Sequence, residues 1–142
     1  MDILTTELAF EALVDIGAPA AIGETALGRR RMIPITGGTF KGPRIEGEVV
    51  PGGADWQTVR ADGVTVVEAI YALKASDGAV IAVRNLGIVA PIDGGAPYVR
   101  TAPSFDAPQG PHEWLNRNVF VGTIAVANAE RTRVRISVYR VI

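Results

Sequence analysis

The chain has 142 residues, 48% hydrophobic and 20% charged, which fits one domain over residues 1–142 with enough apolar content for a core of its own. Fourteen Lys and Arg against 15 Asp and Glu leave a net charge of −1, which argues against a surface built to neutralise nucleic-acid phosphates. The absence of Cys and the single His, His112, exclude disulfides, thiolate chemistry and a His-ligated metal set, so no cofactor is expected and a metal would need an all-oxygen site.

From Glu7 to Ile16 apolar residues alternate, with Leu8, Phe10, Ala12, Val14 and Ile16 on one side, which predicts a half-buried strand. The segment GAPAAIGETALGRRR reads as turns followed by a basic strand entrance. It leads into MIPITGG, where Pro34 lacks an amide hydrogen and belongs at an edge or bulge. Gly37-Gly38 marks a break, after which Arg44 to Val50 alternates again as a third strand. Next comes a meander of DWQTVR, VTVVEAIYAL and AVIAVRNLGIV, with Asp-Gly steps at Asp62-Gly63 and Asp77-Gly78 as hairpin turns, and a further Asp93-Gly94. Pro111 to Asn116 suggests a short helical turn, and VFVGTIAVA with RTRVRISVYRV forms a last hairpin around Asn128-Ala129-Glu130.

No stretch approaches the roughly 20 apolar residues of a membrane span. The first ten residues, MDILTTELAF, carry two acids where a signal peptide carries positive charge. A cytoplasmic protein with no membrane association is expected. About eight short strands with no helix to cover a sheet leave a sandwich or a barrel. A small antiparallel β-barrel is favoured because closure removes exposed edges and encloses room for side chains or one small ligand.

If both Asp-Gly turns are two-residue loops, Ala61 faces Val64 and Ser76 faces Ala79. Alternation then puts Asp55, Gln57, Glu68 and Asn85 on one mostly apolar face, and Trp56, Arg60, Tyr71 and Arg84 on the other. A one-residue slip at either turn would regroup them. Apolar walls with a few convergent polar groups are the usual lining of a small-molecule site. Glu68, mid-strand among aliphatics, and Asp55 are the candidate acid/base residues, since burial raises a carboxyl pKa toward useful values. Asn85 and Gln57 are candidate hydrogen-bonding groups for a substrate carbonyl or hydroxyl, and Gly87, expected opposite Glu68, leaves space for a ligand. The plainer alternatives stay open: Glu68 paired with an Arg on an outer face, and Asp55 capping the turn after PGGA. Arg100 is either a ligand anchor or an ion-pair partner of Glu68 or Asp55. Trp56 and Trp114 are either packing residues or stacking platforms, and His112 lies on the surface or at the barrel mouth. Arg29, Arg30 and Arg31 read as a solvated strand entrance. GGTFKG and PGGADWQ lack the context of nucleotide-binding loops and read as bulges and tight corners of a barrel.

The run GRRRMIPITGGTFKGPRIEGEVVPGGADWQTVRADG, followed by EAIYAL, DGAVIAVRNLG, YVRTAPSFDAP and EWLNRNVFVG, resembles an uncharacterised bacterial and fungal family, domain of unknown function 3237, also called uncharacterised protein family 0311. The resemblance spans the chain. It implies an all-β barrel similar to the allene oxide cyclase and dirigent barrels, often oligomeric, with no established reaction. The family pattern has Asp-Ala-Arg-Tyr where this chain has Glu68-Ala69-Ile70-Tyr71, and an aromatic residue where it has His112.

Three functions fit the sequence. The first is a cofactor-independent isomerase, cyclase or lyase acting on a small organic molecule through carboxylate acid/base chemistry. The second is a carrier or sensor of a hydrophobic metabolite, and the third a structural oligomer with a filled interior. A homo-oligomer, with a dimer favoured, is expected if Trp56, Val67, Tyr71 and Leu86 share an apolar outer face.

Overall fold

The computed structural model describes residues 2–142. Nine strands run in chain order: β1 (Thr6–Ile16), β2 (Ala20–Thr25), β3 (Gly28–Lys41), β4 (Glu46–Val59), β5 (Thr65–Ala75), β6 (Val80–Ala90), β7 (Tyr98–Asp106), β8 (Phe120–Val126) and β9 (Arg133–Val141). A 3-10 helix, Glu113–Arg117, lies between β7 and β8. They form one antiparallel sheet in the order β1-β9-β8-β7-β6-β5-β4-β3-β2, and a further pairing of β1 with β3 closes eight of the strands into a barrel. The barrel expected from the strand pattern is therefore present. No helix among the described residues is long and apolar enough to cross a membrane.

Several strands run through the residues that read as breaks. β3 continues across Gly37-Gly38, taking an irregularity between Pro34 and Thr39 instead of a turn. Pro34 sits where the change is needed: upstream residues of β3 pair with β2, and from Ile35 onward with β1. β4 likewise carries Pro51-Gly52-Gly53 as a bulge between Val50 and Ala54, so Arg44–Val50 and DWQTVR belong to one strand. β2 and β7 were not legible as strands. β2 pairs only with β3, and Pro103 interrupts the pattern of β7.

The two Asp-Gly hairpins decide which side chains point inward. At each, the chain makes a three-residue loop ending in a left-handed glycine, Gly63 (φ 86°) and Gly78 (φ 92°). Arg60 N–H donates to Val64 O and Gly63 N–H to Arg60 O; Ala75, Ala79 and Gly78 repeat the pattern. This is the type I turn with a glycine bulge, one residue longer than the two-residue loop. Asp62 and Asp77 support the turns by accepting from the amides of Val64 and Ala79. Each extra residue shifts its register by one, which turns β5 over relative to β4 and β6. Asp55 therefore faces Ala69, and Ala69 faces Asn85, while Glu68 faces Trp56 and Leu86 on the outer surface.

The register also corrects the outer apolar face. Val67 and Tyr71 point into the barrel and are buried, leaving Trp56, Ile70 and Leu86 exposed outside. Gly87 pairs with Val67 and Thr101, and a Cβ there would lie 2.5 Å from the Arg100 carbonyl oxygen. Its missing side chain thus accommodates close strand approach instead of a ligand.

The two ends of the barrel differ. One is filled by Phe10, Phe40, Phe105 and Phe120, packed edge-to-face at centroid separations of 5.1–5.9 Å. Edge-to-face contacts add to the burial of such rings. The 3-10 helix closes this end with Leu115 and Trp114, and the Arg44 guanidinium lies 4.2 Å over the Trp114 ring. His112 belongs here too: it is buried, and Nε2 is 2.8 Å from Asp77 of the β5–β6 turn. It lies far in the fold from the open end, where β1, β4, β6 and β8 finish and β3, β5, β7 and β9 begin.

Candidate active site

The open half of the barrel encloses a cavity of about 680 Å³. Its walls are mostly aliphatic, including Val14, Ile33, Ile35, Val67, Ile124 and Ile136. Their spacing of two within a strand brings each to the inner face. The same parity brings in Arg31 on β3, Asp55 and Gln57 on β4, and Asn85 on β6.

Asp55 lies in a cross-strand row with Ile33, Ala69 and Asn85. Ala69, between the two polar residues, has the smallest side chain in that row and leaves the space above it open. Asn85 is 2% exposed, and its Oδ1 has no hydrogen-bond partner. Asp55 Oδ1 is likewise buried and without a partner in hydrogen-bond geometry. Two unpartnered oxygens thus flank one alanine on an otherwise apolar wall, where a polar group normally finds a partner.

The other Asp55 oxygen is held. Gln57 Nε2 donates to Oδ2 at 2.8 Å, and Arg31 Nε donates to Gln57 Oε1 at 2.8 Å. Because the guanidinium can only donate, it fixes which end of the Gln57 amide faces Asp55. Burial pushes the Asp55 carboxyl above its ordinary pKa, against the opposing effects of the Gln57 hydrogen bond, the Glu68 backbone amide and the Arg31 charge. Tyr71, two residues along β5 from Ala69, is buried; its hydroxyl pKa is pushed up first by burial and then by the nearby Asp55 charge.

Of the residues singled out from the sequence, Asp55, Gln57 and Asn85 meet in the cavity, and Glu68, Trp56 and Arg100 do not. Glu68 is on the outer face, where its Oε2 accepts from Arg84 Nη2 at 2.6 Å. Trp56 is its outer-face neighbour, 37% exposed. Arg100 is exposed, donates to the Val99 carbonyl oxygen and lies over the Tyr98 ring. Two cavity-lining arginines escaped sequence reasoning. Arg31 was hidden in a basic triplet, although its even spacing from Ile33 and Ile35 marks it as inward; Arg131 lies in a loop, where no periodicity applies. Among the described residues no three His, Asp or Glu side chains gather as a metal site would require.

The eight-stranded barrel has counterparts among known proteins. The chain belongs to the family described as protein of unknown function DUF3237, whose model matches residues 4–141. It is 37% identical over 152 residues to the UPF0311 protein RPA1785 of Rhodopseudomonas palustris (strain ATCC BAA-98 / CGA009), covering 98% of this chain and 97% of that one. The crystal structure of the conserved protein of unknown function RPA1785 from R. palustris is similar over the whole of both chains, with a TM-score of 0.88 and 38% identity. The chain is also 36% identical, over 89 residues, to the hydroalkoxylation enzyme phnH of Penicillium herquei, covering 63% of this chain and 53% of that one. A solved enzyme from P. herquei is similar over 98% of this chain and 95% of its own, with a TM-score of 0.77 and 26% identity.

Proposed function

We propose that the barrel is a cofactor-independent enzyme that moves a proton on a small, partly apolar organic molecule, as an isomerase, cyclase or lyase, with Asp55 as acid and base. The observation that carries this is the Asp55 carboxyl, which belongs to a residue lining a largely apolar cavity, is raised in pKa by burial and has one oxygen without a hydrogen-bond partner. A carboxyl tuned upward is a better proton acceptor than an ordinary one and can return the proton it takes. The Asn85 amide, on the same wall, is the candidate hydrogen-bonding group for a substrate hydroxyl or carbonyl, and Gln57, engaged by Arg31 and Asp55, positions the acid. Glu68 has no part in this chemistry, since its carboxylate is on the other side of the sheet.

The phnH reaction type supports the same chemistry. Hydroalkoxylation adds an alcohol O–H across a carbon–carbon double bond: the O–H and π bonds break, C–O and C–H bonds form, and nothing is oxidised or reduced. Such a step needs a group that takes a proton from oxygen and a group that delivers one to carbon, and a single carboxyl serves both in turn.

The test starts from the small molecule retained when the protein is purified from its own host, identified by native mass spectrometry. Incubated with fresh protein, it is expected to be converted, and Asp55→Asn is expected to slow that conversion by about 10²- to 10⁴-fold, the usual worth of a general acid or base. Recovery of the molecule unchanged after prolonged incubation would overturn the catalytic reading in favour of a carrier. Full turnover by Asp55→Asn would remove Asp55 from the mechanism.

A further inference from the structure

We infer that the ligand of this cavity is an amphipathic anion, an apolar body bearing a carboxylate, sulfonate or phenolate-like group, and that Arg31 and Arg131 bind that group at the cavity mouth. This rests on the cavity being the ligand site, as proposed above, and not on whether the ligand is chemically changed there.

Both arginines line the cavity. Arg31 approaches from the first half of β3, above Ile33 and Ile35, and Arg131 from the β8–β9 loop. β1 is the strand between their walls, since it pairs with β3 on one side and β9 on the other. Among the described residues neither forms an ion pair; Arg29, Arg30, Arg44, Arg100 and Arg117 form none either, but of these seven Arg31 and Arg131 are the two that line the cavity, while Arg60, Arg84, Arg133, Arg135 and Arg140 are each paired with a carboxylate. The contrast is sharpest between neighbours. Arg133, at the start of β9, is held by Asp15 at 2.8 Å. Arg131, two residues earlier, lines the cavity with no such partner.

The backbone around Arg131 is built to hold it there. Arg131 is the non-glycine residue with positive φ (59°) among the described residues. A left-handed conformation is unfavourable for a residue with a Cβ and persists when the surrounding loop imposes it. Here Asn128 imposes it: its Oδ1 accepts from the amides of Thr132 and Arg133, its Nδ2 donates to Thr132 Oγ1, and its carbonyl accepts from Arg131 N–H. Glycine or asparagine would adopt this turn at less cost. Two guanidinium groups at the rim of an aliphatic cavity, with one carboxyl deeper inside, match a ligand whose anionic end faces solvent and whose apolar body reaches Asp55 and Asn85.

Two fluorescent probes of nearly the same shape separate charge from apolar fit: anilinonaphthalene sulfonate, an anion, and phenylnaphthylamine, the same aromatic body without the sulfonate. The intact protein is expected to bind the sulfonate at least about tenfold more tightly than the amine. Arg131→Asn, which tolerates the left-handed turn, and Arg31→Gln, which keeps a donor toward Gln57, are each expected to weaken sulfonate binding roughly tenfold, the scale of one charge-assisted hydrogen bond. Amine binding should not change, which also reports that the variants are folded. Equal affinity for the two probes, an undiminished sulfonate affinity in both variants, or a parallel loss of both probes would each overturn the inference. Asp55→Asn should keep the sulfonate preference, so failure of the catalytic proposal and failure of this one are read separately.

Discussion

Asp55 and Asn85 stand two strands apart in one cross-strand row, with only the methyl group of Ala69 between them. Both residues line the same cavity, and each has a side-chain oxygen that is buried and without a hydrogen-bond partner. The two three-residue loops each change the register by one, and for this pair the two changes cancel. Each glycine bulge turns its neighbour over by one residue, so β4 and β6 keep their relative orientation while β5 between them is reversed. The carboxylate that leaves the site as a result is Glu68.

The raised pKa of Asp55 makes a prediction about stability. Because its carboxyl in the folded chain titrates above the ordinary 3.8, the folded state keeps a proton over a pH window in which the unfolded chain has released it. Its favourable contribution is therefore complete below the ordinary value and is lost as pH rises through the raised one. Asp55→Asn has no such charge to bury. Its melting temperature relative to the natural protein should rise with pH across that window, and a difference independent of pH would show that the carboxyl is not buried as described.

Filling the row tests the geometry of the site. Ala69→Leu projects three more carbons between Asp55 and Asn85 into open cavity, so the overpacking cost of a filled core should largely be avoided. The expected result is a folded protein with ligand affinity reduced at least about tenfold, a loss of about 1.4 kcal/mol. Calorimetry showing undiminished affinity in a folded variant would place the ligand elsewhere.

The exposed pair of Glu68 and Arg84 should matter little. A solvent-facing ion pair contributes at most about 1 kcal/mol, so Glu68→Gln and Arg84→Gln should change denaturant stability by less than that and leave turnover of the retained ligand intact. A hundredfold loss of turnover in Glu68→Gln would return that residue to the mechanism.

By itself the sequence determined the strand-rich class, through alternation of apolar residues along Glu7–Ile16 and Arg133–Val141, and the absence of thiol and His-ligated metal chemistry, through composition. That Asp55 and Asn85 share a face needs only that the two hairpin loops be of equal length, which their matching Asp-Gly steps indicate, because the register changes on either side of β5 then cancel. The tertiary structure decided what local periodicity does not encode. Whether an Asp-Gly step makes a two- or a three-residue loop depends on the pairing of whole strands, and one residue of difference moved Glu68 outside and Tyr71 inside. Whether Pro51-Gly52-Gly53 ends a strand or bends it depends on barrel closure, which needs such bends. Arg131 carries no periodic signal at all; only the closure of β9 onto β1 and β8 brings its loop to the mouth of the cavity that Asp55 faces from within.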